Sequence, residues 1–411
     1  MTMIMYFIFF LTASINFIYG VVKKKNLILY GFSLVIIFLL MTFNFDGPDV
    51  VVYKLAYEIV GKTPSTAYET TYMEWGYTSL MILGNKIGLN FFAFRIILSF
   101  ICLSLFCSSI KYYKANGNLI IGLYMLYLFF FDAIQLRNCI SQFIILFATR
   151  YLSKKSWGST LKYILCVVIA AGFHKISWLY ITFLLINVSQ KEKFFKNLFV
   201  FVIALFLLCV IAKPVFLQLV NMAAGIIGHG SNYLHGTIAY GFWIVLALHL
   251  IGIIPLYLFK NGVKDDGVRA NIEIIIKLNI ILCLFLPLTL LNNNFNRIFR
   301  NNMILTQIGV ALMYSHSNKS SNSSKAAMGS LILLTGGWLV SDMMRYEVAK
   351  IISPIIENNL IFASNSLADI VLYIAVTAIC LLLTFVAFKV KSNRLAHKFE
   401  QDNTGINVRQ N

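Results

Sequence analysis

The sequence predicts an all-α polytopic integral membrane protein of about thirteen (twelve to fourteen) transmembrane helices. Three observations predict it. The 411 residues are 59% hydrophobic and only 12% charged, which excludes a soluble globular chain. Apolar runs near the length needed to cross a bilayer recur along the whole chain. The surplus of basic residues is confined to alternate loops, as the positive-inside rule requires.

In chain order, the spans fall near 3–22, 27–45, 90–110, 118–131, 138–152, 161–173, 176–189, 197–219, 238–259, 274–291, 302–314, 326–341 and 367–389. The first is no signal peptide by pattern, because Lys23, Lys24 and Lys25 follow the apolar run instead of preceding it. With the N-terminus outside and the C-terminus inside, the inner segments hold 23 of the 34 Lys/Arg and 6 of the 16 Asp/Glu. The net charge of +18 therefore reports topology and contact with anionic membrane lipids, not nucleic acid. Residues 1–390 form one membrane domain in this reading. Residues 391–411 form a polar cytoplasmic tail with the composition of a disordered segment.

Four spans, 118–131, 161–173, 176–189 and 302–314, are short. At 1.5 Å per residue they reach roughly 20 Å, against a hydrocarbon core of about 30 Å. Short and broken helices are tolerated where irregular backbone lines a wet cavity. All four end at outer breaks, so a hydrated, outward-facing cavity is expected there.

Three outer segments are long: 46–89, 220–237 and 342–366. In the first, apolar residues at 50, 51, 52, 55, 56, 59 and 60 suit a helix lying in the interface. Its Tyr53, Tyr57 and Trp75 fit either an aromatic belt or a sugar-stacking surface beside carboxylates. Asp46 and Asp49, in NFDGPDVVVY, begin that segment at the membrane surface. Either could serve as general base on a sugar hydroxyl, and the same residues also spell an ordinary turn. Glu74, in MEWGY, is a further catalytic candidate: it precedes a moderately apolar stretch that could re-enter the membrane, or it anchors the interface beside Trp75.

The stretch Phe131–Ile181 carries two polar breaks on the same side of the membrane, with Arg137 in one and His174 in the other. Arg297 and Arg300 stand three residues apart after Asn292, Asn293 and Asn294. Outer arginines run against the positive-inside trend, and arginine suits a diphosphate by bidentate contact and permanent charge. Pairing with outer carboxylates is the plain alternative. Arg95 and Arg345 are weaker candidates of the same kind. His174 could act as acid, base or phosphate ligand, or simply as a satisfied group at a helix break.

The seven cysteines lie in or at the ends of apolar runs, without disulfide or zinc spacing. His229 and His235 are too sparse a pattern for a metal, so neither metal nor cofactor is assigned. No nucleotide-binding, zinc-protease or nucleic-acid motif is present.

The order of motifs is GPDVVVYKLAY, EWGY, Arg137-Asn138 at a short-helix break, GFHKISW, then FNRIFRN. In this the chain resembles the EpsG/Wzy-type polysaccharide polymerases of bacteria over roughly residues 40 to 310. It departs where Asn138 stands in place of the glutamine usual after that arginine, which puts in doubt a role for Asn138 but not for Arg137. The resemblance implies a multi-span, GT-C-like glycosyltransferase in the cytoplasmic membrane. Its substrates would be oligosaccharide repeat units on undecaprenyl diphosphate, joined at the outer face into O-antigen, capsule or exopolysaccharide. It implies a flippase and a chain-length regulator as pathway partners. On the residues themselves, Arg137, Arg297 and Arg300 are expected to clamp the diphosphate with His174 assisting, and Asp49 or Asp46 to act as base. A flippase or transporter of lipid-linked oligosaccharide, and a glycan ligase with similar site chemistry, remain alternatives.

Overall fold

In the computed structural model, residues 2–154, 156–189, 191–227, 241–318, 320–345 and 348–360 are described. The span expected at 367–389, the tail 391–411, His229 and His235 and most of the segment 220–237 lie outside them. The described chain is almost entirely helical. Its one β-contact is an isolated antiparallel bridge between Asn44 and Asn359.

Among the described residues, six helices are long and apolar enough to cross a membrane: Ile4–Val21, Phe91–Tyr113, Glu192–Ile211, Gly241–Gly262, Asp266–Leu290 and Asn322–Met344. A seventh candidate is a broken pair, Gly117–Leu126 and Leu128–Ile134, bent by 67°. The protein is thus a multi-pass helical membrane protein, with fewer full-length spans among the described residues than the apolar runs suggest. The difference has a physical cause. Leu27–Phe43, Trp157–Ala171 and Lys175–Val188 are apolar but shorter, and Met303–His316 is interior. From Met303 to Tyr314 every residue of that helix is buried, so its apolar sequence faces protein on all sides.

The short runs are also lengthened by their geometry. Lys175–Leu184 and Cys283–Leu290 are 3₁₀-helical. A 3₁₀ turn rises about 2.0 Å per residue instead of about 1.5 Å, so Lys175–Val188 reaches roughly 26 Å, not the roughly 20 Å expected from its length.

Helix starts follow local capping chemistry. The side chains of Asn26, Asn90 and Asn116 accept from the backbone N–H three residues on, at 2.9, 2.9 and 3.3 Å. Lys114, at φ 57°, takes the left-handed conformation that ends Phe91–Tyr113.

The first helix, Thr2–Val21, packs backbone to backbone on Gly117–Leu126. A Cβ on Gly20 would lie 2.4 Å from Leu119 Cβ, and one on Gly122 would lie 2.8 Å from the Phe17 nitrogen. Small residues permit this approach between membrane helices. A polar contact reinforces it, Asn118 Nδ2 donating to Asn16 Oδ1 at 2.8 Å, and Asn16 Nδ2 in turn donates to Ser33 Oγ on Leu27–Phe43 at 2.6 Å. At the opposite extreme, Glu192–Ile211 turns an apolar face outward, with Val200 and Phe201 both about 60% exposed. Such a face suits hydrocarbon.

Pro48–Lys62 forms the expected amphipathic helix. Val50, Tyr53, Ala56, Tyr57 and Val60 pack inward, while Val51, Val52 and Leu55 remain exposed. Trp75–Lys86 lies against it.

Candidate functional site

Three separate stretches of chain place the site. Pro48–Lys62 begins with proline at its first position and Asp49 in its first turn, the favoured end for an acid. Gln135 caps Leu136–Ala148, which begins two residues earlier than the sequence suggests. Arg137 therefore sits in a first helical turn, where unsatisfied N–H groups favour an anion. The short helix Asn296–Asn301 brings Arg297 and Arg300, following a 3₁₀ turn and directly preceding the buried Met303–His316.

These stretches converge on Asp49. The charges of Arg297, Arg137 and Arg300 all act on its carboxyl, and the polar Gln135 side chain lies beside it. Asp49 lies outside the spans. Burial nevertheless holds its carboxyl above the ordinary carboxylate range, against the pull of those partners. Arg137 and Arg297 also act on His174. The two breaks therefore meet in space.

Each arginine has its own setting. Arg137 pairs with Glu74, and its guanidinium lies 5.2 Å from the Tyr53 ring centre and 5.9 Å from that of Tyr77. Glu74 Oε1 also accepts from the Lys175 N–H at 3.3 Å, so it ties the Arg137 helix to the His174 break. Arg300 is buried. It donates to Gln135 Oε1 at 3.2 Å, lies 3.5 Å from Asp342 Oδ2, and covers the Phe131 ring at 4.3 Å. The Tyr127 hydroxyl donates to the same Asp342 oxygen at 2.5 Å. The Arg137 Nε is buried without a partner, and so are both polar atoms of the Asn296 side chain. Donors and acceptors left in this way in a charged site are available to a ligand.

His174 caps the 3₁₀ helix, its Nδ1 accepting from the Ile176 N–H at 3.3 Å. Burial first, then Arg137, Arg297 and Lys175, push its pKa down to about 3. The ring is thus neutral, and the hydrogen bond to Nδ1 assigns its proton to Nε2, a donor.

Other candidates stand apart from this centre. Asp46 accepts from the Asn358 side chain at 2.7 Å and faces a recess with Ser353 and Pro354. Tyr57 is buried, packs on Phe94 at 4.9 Å, and donates to the Leu89 carbonyl at 2.9 Å. Its ring is a packing element. Tyr53 is buried beside Arg137. Trp75 is half exposed and lies over Gly172, where a Cβ would come within 2.8 Å of the indole. Arg95 points into the protein and serves helix ends. The Arg345 side chain lies outside the described residues.

Sequence reasoning missed Gln135, Asp342 and Asn301. Asp342 had a signal: it is the one acid in Asn322–Arg345, and an acid in an apolar helix is by default a functional candidate. Asn138 and Asn301 exchange side-chain hydrogen bonds at 2.9 and 2.8 Å. They follow Arg137 and Arg300 in sequence, so the amide pair fixes the two arginine segments to each other. Asn138→Leu leaves the Asn301 amide unpaired and is expected to cost about 1–3 kcal/mol. The double change Asn138→Leu/Asn301→Leu is expected to cost less than the sum of the singles. Thermal unfolding of the four proteins in detergent measures that coupling, and additive shifts would refute it.

Among the described residues, no group of three or more His, Cys, Asp or Glu could hold a metal ion.

Fold and site define a class: a multi-pass helical membrane protein with an arginine-rich polar centre built where helices break. The EpsG family model matches residues 27–354, and the chain belongs to that family. This places it among polysaccharide polymerase-type membrane proteins. The matched stretch contains every residue of the centre. No curated protein and no solved structure matches the chain.

Proposed function

We propose that this protein is a glycosyltransferase of the GT-C type. It would join oligosaccharide repeat units carried on undecaprenyl diphosphate into a surface polysaccharide at the outer face of the cytoplasmic membrane. The observation that carries this reading is the convergence of Arg137, Arg297 and Arg300 on one half-buried carboxyl group, Asp49.

In the proposed step, the acceptor hydroxyl oxygen attacks the anomeric carbon of the donor. The bond from that carbon to the diphosphate breaks, and the electron pair leaves with the diphosphate. The hydroxyl proton passes to Asp49. A single displacement inverts the anomeric centre. Charge grows on the leaving diphosphate, where preorganised guanidinium groups stabilise it most. The unpartnered Nε of Arg137 and the neutral donor His174 suit its oxygens, and the unpaired Asn296 amide suits a sugar hydroxyl.

The neighbouring acids make the base responsive to substrate. Glu74 and Asp342 already balance Arg137 and Arg300. An arriving diphosphate engages the arginines, so Asp49 loses counter-charge and becomes more basic when an acceptor proton must be taken.

The test is a gel of lipid-linked glycan from cells lacking the protein, complemented with wild type or Arg137→Ala. Collapse of the ladder to single lipid-linked units, in the deletion and in the variant, is the expected outcome. Units retained at the inner leaflet would indicate a flippase instead, and an unchanged ladder would overturn the proposal.

Asp49 adds a pH test. The base works deprotonated, so the rate is expected to rise with pH through a pKa above the usual carboxylate value of about 4. His174 stays neutral and contributes no inflection between about pH 5 and 8. The linkage has the opposite sign for stability. A carboxyl raised in the folded state contributes stability below its unfolded pKa, lost as pH rises through the folded value. Asp49→Asn is therefore expected to abolish turnover without lowering the melting temperature at neutral pH. Turnover near wild type in that variant would remove Asp49 as base.

A further inference from the structure

At the lysine-rich ends of three spans lies a recess of about 190 Å³. Glu192–Ile211, Gly241–Gly262 and Asp266–Leu290 each form a wall. By the positive-inside rule this is the cytoplasmic side. The arginine centre lies toward the opposite face, because Asp266–Leu290 begins beside the recess and ends shortly before Arg297. Each wall carries one lysine: Lys196, Lys260 and Lys277. Two glutamates stand among them. Lys260 Nζ lies 3.2 Å from Glu192 Oε1 and 3.8 Å from Glu273 Oε1, so this lysine ties the three helices together. Three lysines against two glutamates leave the lining with one positive charge in excess. Beneath the charges the walls are apolar. Phe195, with the Lys277 ammonium 5.5 Å from its ring centre, is buried, as are Ile276 and Ile280. Val200 and Leu207 follow Lys196 on the same helix face, four and eleven residues on, and both are exposed.

We propose that this recess binds the headgroup of a monoanionic phospholipid of the inner leaflet, phosphatidylglycerol being the simplest, with its acyl chains lying along the Val200–Leu207 face. The bound lipid would cement Glu192–Ile211, the span with the most outward apolar surface, to the other two helices.

Three observations select this occupant. The first is charge. One phosphodiester balances the one surplus positive charge, whereas a zwitterionic headgroup leaves it standing. The second is the layering of the walls. Lysine stems lie against apolar surface and carry their ammonium groups to headgroup level, and the exposed face below Lys196 meets hydrocarbon. A free phosphate would use the lysines and leave that face without a role. The third is the mixture of signs. Carboxylates only accept, so Glu192 and Glu273 suit the hydroxyls of a glycerol headgroup while the lysines take its phosphate. The space is roughly ten times what one water needs, so it admits the headgroup and leaves the acyl chains in the bilayer. Basic pockets between spans on the cytoplasmic side are where anionic headgroups bind.

The test uses the full chain, purified in detergent and stripped of lipid, then titrated with phosphatidylglycerol, phosphatidylethanolamine or inorganic phosphate. Native mass spectrometry counts bound lipid, and the melting temperature is read alongside. Phosphatidylglycerol is expected to bind and to raise the melting temperature, while neither other probe does so at the same concentration. Lys196→Gln or Lys277→Gln is expected to weaken phosphatidylglycerol about fivefold, and the two together about thirtyfold. Lys191→Gln/Lys193→Gln removes as much charge from exposed positions at the same helix end but outside the recess, and is expected to leave binding unchanged. Equal weakening by the two double variants would reduce the effect to general surface charge and overturn the site. Phosphatidylethanolamine binding as tightly as phosphatidylglycerol would overturn it too, as would inorganic phosphate stabilising as strongly as the lipid. None of these readings involves the arginine centre, so they decide the lipid site whether or not that centre handles a diphosphate.

Discussion

Alanine at Arg297 is expected to lower polymerisation by at least about 100-fold, with the protein inserted and folded as wild type. The magnitude is that of removing one preorganised donor from a centre where charge develops. Arg297 is the clearest case because its charge is the foremost of those acting on Asp49. Arg137 and Arg300 have bound acids, Glu74 and Asp342. Removing either would leave its acid, half-buried Glu74 or buried Asp342, uncompensated, adding a folding defect to any catalytic one. Arg297→Lys is expected to recover only part of the activity, since an ammonium is a point charge without the planar fork that meets two phosphate oxygens. Losing the arginine also strips counter-charge from Asp49, so the residual acid limb of Arg297→Ala is expected to move to higher pH. The measurement is elongation of purified lipid-linked repeat units by purified protein, read on gels as a function of pH. A variant that elongates at wild-type rate removes Arg297 from the diphosphate clamp.

Much of this site was legible because cost is visible in an apolar sequence. Arg137, Arg297 and Arg300 stand out in apolar surroundings, and the polar breaks around them mark where helices end. Asp49 was legible together with Asp46, but sequence had no means of separating two acids three residues apart. The fold separates them: one begins a helix facing the arginines, and the other is turned to Asn358. Helix type was not legible. Nothing in KISWLYITFL distinguishes a 3₁₀ run from an α-helix, so from sequence the span through it looks too short. Asp342 and Asn301 join the candidate site only through tertiary contact. Asp342 lies more than 40 residues after Arg300, and Asn301 finds Asn138 across 163 residues. Aromatic side chains gave the least reliable signal. Tyr57 and Trp75 share a composition that suits either a sugar surface or a core, and only burial divides them.

Methionine at Arg95 is expected to remove the folded protein from the membrane, in contrast to Arg297→Ala. Arg95 is 1% exposed, and its guanidinium donates to the Asn44 carbonyl at 3.0 Å, to the Ala133 carbonyl at 3.3 Å, and to Met41 O and Asn44 Oδ1. The Met41 carbonyl lies in the last turn of Leu27–Phe43 and Asn44 caps it, so these are acceptors that a helix end cannot satisfy by itself. The Ala133 carbonyl closes the bent pair just before Gln135 and Arg137. One side chain thus joins the end of the helix leading to Asp49 with the end of the helix leading to Arg137. Methionine fills much of the volume but donates nothing. Leaving these acceptors buried and unpaired costs about 1–3 kcal/mol each, enough in sum to exhaust the stability of an ordinary domain. Lysine is expected to rescue only weakly, since one ammonium cannot span the two helix ends. Protein level in isolated membranes and the melting temperature in detergent, with Arg297→Ala alongside, measure the difference. Should Arg95→Met accumulate and melt as wild type while losing polymerisation, Arg95 would belong to the chemistry and not to the frame that holds Asp49 against Arg137.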